Sequence, residues 1–200
     1  MAGWTTSSDV PLWAGAVLQI PLWGGFLTAV VLAGRNKGHG VVRDFGFRFE
    51  WLDAPVGLVI GVVMQLLVLP VLYLPVLWLL DQSSDDLSRP ARELADKAQG
   101  PVGWIVLTLI VVVGAPIVEE LFYRGLLLRS LQKRGIPDVW SCVICAAVFA
   151  ASHLQALQFV GLFAIGLVLS YLAVRTGRLG PSICTHAAFN ATSVVLLYLQ

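Results

Sequence analysis

The sequence predicts an all-α fold: a polytopic membrane protein of about six transmembrane helices that enclose a buried polar site. Three observations predict it. The chain has 200 residues, of which 58% are hydrophobic and only 12% charged, where soluble domains run nearer a quarter charged. The charges cluster, so that Pro11 to Gly34, Ala54 to Leu80 and Ala98 to Val118 contain no Asp, Glu, Lys, Arg or His. Each run is at least as long as the roughly 20 residues that cross a bilayer core as a helix. Finally, a few ionisable residues lie within the apolar segments, where they are costly and mark functional sites.

Six segments are expected, at about 11–33, 54–80, 102–133, 138–159, 161–175 and 181–199. The first is too long for a signal-peptide core, and "MAGWTTSSDV" before it has no basic residue, so no cleaved leader is expected. In the second, Pro70 and Pro75 predict kinks, and Gly57 and Gly61 form a G-x-x-x-G that permits close helix packing. The third continues through "EELFYRGLLLRSLQK", because leucines keep helical spacing up to the turn signal "RGIPD". "NAT" at Asn190 to Thr192 matches a glycosylation sequon, but within an apolar span it is rejected as an acceptor. The segments make one membrane domain, 1–200, in which 101–199 carries the chemistry.

Basic residues predict orientation. Loop 34–53, the turn after segment three and the turn after segment five all fall on one side. With Arg124, that side takes all 13 Lys and Arg except Arg89, Arg92 and Lys97. Basic turns in the cytoplasm leave both termini outside, in what is expected to be the plasma membrane. Trp13, Trp51, Trp78, Trp104 and Trp140 sit near the proposed boundaries, as an aromatic belt would. A net charge of +1 gives no reason to expect a nucleic-acid partner. Cys142, Cys145 and Cys184 read as small thiols within helices, since two thiols alone make a poor metal site. His39 lies in a polar loop and is assigned nothing.

The intramembrane polar residues are Glu119, Glu120, Arg124, His153, His186 and Asn190. Glu120 and Arg124 stand at i, i+4 with the acid first, the favourable order for an ion pair, which leaves Glu119 without a helical partner. Folding segments three and four into a hairpin about Ile136 places Glu119 and His153 at equal arm lengths, and so at one depth. His186 and Asn190, also at i, i+4, share one helix face. A carboxylate and an imidazole around one water make a general base. A second histidine and an asparagine offer donors to an oxyanion. Together these describe hydrolysis of an acyl bond without a covalent nucleophile. Glu119, His153 and His186 also suit a divalent metal such as zinc, although there is no H-E-x-x-H. Intramembrane Glu and His serve proton-coupled transporters too, but the chain is short and shows no inverted repeat. A membrane scaffold without chemistry is a third reading.

"EELFYR", "FAASH" and "HAAFN" match, in order, the motifs E-E-x-x-x-R, F-x-x-x-H and H-x-x-x-N. In this the chain resembles the CAAX prenyl protease and bacteriocin-processing family of intramembrane proteases, which includes the Ras-converting endopeptidase. The resemblance covers roughly 101–199. It implies an intramembrane endopeptidase acting on a membrane-associated peptide or protein, with the site in a cavity open to the cytoplasm. It implies that Glu119 and His153 activate water, that His186 and Asn190 form the oxyanion hole, that Glu120 and Arg124 orient the site, and that Phe149 packs beside it. Bacterial members are often called metalloproteases, while the best-understood ones look glutamate-dependent, so no obligatory metal is expected.

Overall fold

The structure, a computed structural model, describes residues 11–200. Those residues form eight helices and no strand: α1 (Leu12–Lys37), α2 (Val41–Phe45), α3 (Asp53–Leu80), α4 (Ser84–Ala95), α5 (Gly100–Lys133), α6 (Asp138–Ser152), α7 (Phe159–Thr176) and α8 (Gly180–Tyr198). All six expected segments are helical. Four helices are long and apolar enough to cross a membrane, in α1, α3, α5 and α7, whereas α6 is a shorter apolar helix of 15 residues. Many large side chains on the outer surface are apolar, including Leu74, Trp78 and Ile105, as a lipid-facing surface requires. The protein is an all-α polytopic membrane protein.

Two boundaries differ from expectation. The fourth segment, expected to run to 159, ends at Ser152, because Leu154 takes a left-handed backbone (φ 55°) and residues 153–158 form a loop. That loop is itself rich in Leu and Ala, so hydropathy gives no sign of it. The acidic link before α5 contains α4, which was not expected. Its signal is Ser83 and Asp86: the Ser83 hydroxyl accepts from the Asp86 N–H while the Asp86 carboxylate accepts from the Ser83 N–H, a capping box.

In a bilayer the surroundings are as apolar as the helices, so close backbone approach carries much of the association. Helix α3 meets α8 this way. A Cβ on Gly57 would lie 2.5 Å from Cys184 Cβ, and one on Gly61 would lie 2.6 Å from the Phe189 nitrogen. Helix α6 meets α7 at Gly166, against Ala146 and Phe149. Helix α1 meets α5 through the stacked rings of Phe26 and Phe122, 4.1 Å apart. Pro70 does not break α3, which passes it by a π turn over Met64–Val68.

The bundle has two unlike ends. At one end the basic turns are bonded together. Arg129 donates to the carbonyls of Asp44 and Gly177, Leu179 N–H donates to Gly46 O, and Arg178 pairs with Glu50 and Asp53. Gly46 is needed there, since its φ of 67° would strain any other residue. At the other end lie α4, the 153–158 loop and the last turns of α8. Gln158 donates to Leu87 O, Tyr73 donates to Leu157 O, and Trp104 meets Tyr198 edge to face.

Candidate active site

The site is organised around a proline. Within α5 the stretch Leu109–Gly114 is a π turn, followed by α-helix over Ala115–Glu120 and a second π turn over Leu121–Leu128. In the first π turn Ala115 N–H donates to Ile110 O, one residue farther back than in an α-helix. By the same register Val111 O should receive from residue 116, but that residue is proline and has no N–H. The helix therefore leaves Val111 O without a partner, and Asn190 supplies one: its Nδ2 donates to Val111 O at 2.8 Å. A proline in α5 thus fixes an asparagine on α8.

Beyond Pro116 the two glutamates separate. Adjacent helical residues point about 100° apart, and here that turn divides the core from a cavity. Glu120 and Arg124 are fully buried and joined at 2.7 Å. Arg124 also donates from Nε to Ser170 Oγ at 3.3 Å and from Nη2 to Gly166 O at 3.0 Å, and its Cζ lies 4.6 Å from the centre of the Phe149 ring. Its polar groups are thus met from three sides, which a charge in this setting requires. Glu120 Oε1 further accepts from His186 Nδ1 at 3.0 Å. That bond fixes the ring, so that Nε2 of His186 faces Glu119 Oε2, 3.9 Å away.

His153 is held independently. Its Nδ1 lies 2.8 Å from Phe149 O. A carbonyl only accepts, so Nδ1 carries the proton and Nε2 of the neutral ring keeps its lone pair. The same carbonyl accepts from Ser152 Oγ at 2.7 Å, and Ser152 accepts from the Tyr123 hydroxyl at 2.7 Å. Phe149 separates the two imidazoles, with its ring 4.8 Å from that of His153 and 5.8 Å from that of His186.

Glu119, Phe149, His153, His186 and Asn190 all line one cavity of about 470 Å³. Glu120 and Arg124 lie behind it. The sequence thus named the residues that meet. It missed Ser170 and Gly166, which complete the Arg124 shell, and Tyr123 and Ser152, which hold the carbonyl that orients His153. Among the missed residues only Pro116 had a visible signal, as a proline four residues before a buried charge.

Among the described residues no three His, Cys, Asp or Glu side chains gather as a ligand set. Cys142, Cys145 and Cys184 are free thiols, and the Cys145 thiol donates to Tyr123 O at 3.2 Å.

The wall of the cavity runs from Glu119 out to Leu94, Lys97, Leu12 and Gln155, at the end opposite the basic turns. His153, the first residue beyond α6, lines the same cavity. Equal hairpin arms set a common depth but not the direction of access.

With this geometry in hand, comparison with known proteins is specific. Residues 101–192 match the family model for type II CAAX prenyl endopeptidase Rce1-like proteins. This part of the chain is similar to that family. The match spans all the residues named above from α5 to α8. An uncharacterized 24.3 kDa protein of Escherichia coli is 30% identical over 119 residues, covering 56% of this chain and 54% of that protein. The chain therefore spans about half the length of that relative. No solved structure matches it.

Proposed function

We propose that this Rce1-like protein is an intramembrane endopeptidase that cleaves a membrane-associated peptide with an activated water. The observation that carries the reading is the division of the glutamates. Glu120 is committed to Arg124 and His186, while Glu119 lines the cavity and has no guanidinium partner. Glu119 takes a proton from water, and His153 Nε2 accepts a hydrogen bond from the same water and aligns it. The water oxygen bonds to the scissile carbonyl carbon, and the carbonyl π electrons move to oxygen. His186 Nε2, when protonated, and the second N–H of Asn190 donate to that oxyanion. The carbonyl re-forms as the C–N bond breaks, and the proton on Glu119 passes to the leaving nitrogen.

The substrate is an amphipathic or lipid-modified peptide. A second, largely apolar cavity of about 520 Å³ shares Gln155, Leu162 and Phe189 with the first, which gives an apolar segment room beside the reacting bond. The protein resides in the plasma membrane with its basic turns in the cytoplasm.

A panel of quenched membrane-associated peptides offered to the purified protein tests the reading. Cleavage by the wild type that is lost in Glu119→Ala, His153→Ala and Asn190→Ala is expected. Equal cleavage by all three variants would show that the site lies elsewhere. A strong chelator in the same assay is expected to leave cleavage unchanged, and loss restored by zinc would assign a metal to the reaction.

A further inference from the structure

We propose that Tyr73, on α3, is a positioning residue for His153: its hydroxyl ties the far end of the loop that carries His153 to the start of α7, and so holds that imidazole at the cavity wall. Its effect on catalysis rests on the peptidase reading, while the contacts do not. Helix α3 lies outside residues 101–192, so the site draws on a part of the chain beyond the family match.

Tyr73 lies in an apolar helix. Between Ala54 and Leu80 only Gln65, Tyr73 and Trp78 have side chains that form ordinary hydrogen bonds. Tyr73 is 3% exposed, and a hydroxyl buried among apolar helices needs partners. It has two: it donates to Leu157 O at 3.1 Å and accepts from Gly161 N–H at 2.9 Å. Those two groups are four residues apart, the spacing of a backbone bond in an α-helix. The hydroxyl therefore bridges a donor and an acceptor that would otherwise bond to each other. It also answers a deficit, because the first N–H groups of a helix have no carbonyl within it. Gln158, at the N-cap of α7, makes no side-chain cap, and its Nε2 donates instead to Leu87 O. Tyr73 thus caps α7 from another helix. A Cβ at position 161 would lie 2.8 Å from that hydroxyl, so glycine is what lets the two approach.

His153 stands at the other end of the same loop. Its backbone N–H donates to Ala150 O and its Nδ1 to Phe149 O, which ties it to the last turn of α6. Between the two ends Leu154 takes a φ of 55°, a conformation that leucine adopts only at a cost. Its side chain is 92% exposed, so packing does not secure that backbone. A strained residue persists where its surroundings over-determine it. Here α6 fixes the loop from one side, and the bonds at Leu157 and Gly161 fix it from the other. Without the Tyr73 hydroxyl Leu154 is free to relax, and its neighbour in the chain is His153. Gln155, one residue further, lines the cavity as well.

Tyr73→Phe removes the hydroxyl and keeps the ring. Diethyl pyrocarbonate acylates a free imidazole nitrogen, so it reads the setting of His153 without any substrate, and the exposed His39 is an internal reference. In the purified protein Tyr73→Phe is expected to speed modification of His153 several-fold relative to His39, as measured by peptide mass. Cleavage of a membrane-associated peptide is expected to fall roughly 10-fold in kcat with KM unchanged, because a misplaced reacting group costs rate rather than binding. Gly161→Ala, whose methyl would displace the hydroxyl, should reproduce both changes. An unchanged ratio of His153 to His39 modification in Tyr73→Phe overturns the proposal. So does an unchanged kcat in a variant whose ratio has moved. Equal acceleration at His153 and His186 would show that the hydroxyl supports the whole bundle, which overturns the positioning role. If the ratio moves but the wild type cleaves no peptide, the peptidase reading fails and the hold of Tyr73 on His153 stands.

Discussion

Glu119 and Glu120 are neighbours in sequence and belong to different regions of the molecule. Behind the cavity, Glu120, Arg124, Ser170 and Gly166 form a floor in which charges and donors are bonded to one another. In front of it, Glu119, His153 and Asn190 form a face that lines open volume. The two are joined by His186, whose Nδ1 belongs to the floor and whose Nε2 belongs to the face. The comparison teaches that intramembrane charge serves two purposes here. In the floor it fixes geometry, at the cost of desolvation offset by the bonds of Arg124 and of Glu120 Oε1. In the face, a carboxylate without a guanidinium is left able to take a proton.

This contrast makes separable predictions. The largest effect on stability is expected in the floor. Arg124→Ala leaves Glu120 buried without its partner and should cost about 3–5 kcal/mol, visible as a lowered melting midpoint in detergent and reduced expression. A variant that melts like the wild type would mean that water reaches the pair, and the floor would lose its distinct character. In the face, His153→Ala should lower cleavage by roughly 10²-fold, the cost of losing the acceptor that aligns the water, with little change in melting. A parallel loss of stability and activity would merge the two regions.

The smallest effect is expected where the regions are linked. Pro116→Ala gives α5 an N–H that competes with Asn190 for Val111 O. A net hydrogen bond is worth about 1 kcal/mol, so cleavage should fall several-fold while melting holds or rises, since alanine suits a helix interior better than proline. Raised cleavage in that variant would show that Asn190 acts better unanchored.

The contrast also explains what the sequence could reveal. The Glu120–Arg124 pair follows from i, i+4 geometry on one helix, and the closeness of Glu119 and His153 follows from equal hairpin arms. The contact of α3 with α8 is legible in Gly57 and Gly61, because only glycine spacing permits it. The π turns are not legible, since they arise from how α5 packs around Pro116 rather than from local propensity. Nor is the end of α6, which stops at Ser152 within a stretch as apolar as the helix before it. Ser170 and Gly166 meet Arg124 only through the packing of α7, 42 or more residues away in sequence, and no local pattern foretells that.

The central claim is that Glu119 is the water-activating residue and that its function is separable from the fold. Glu119→Gln keeps the shape of the side chain and removes its basicity. Measured side by side, its melting midpoint should equal that of the wild type while cleavage of a membrane-associated peptide that the wild type processes disappears. Cleavage by Glu119→Gln at the wild-type rate would contradict the claim.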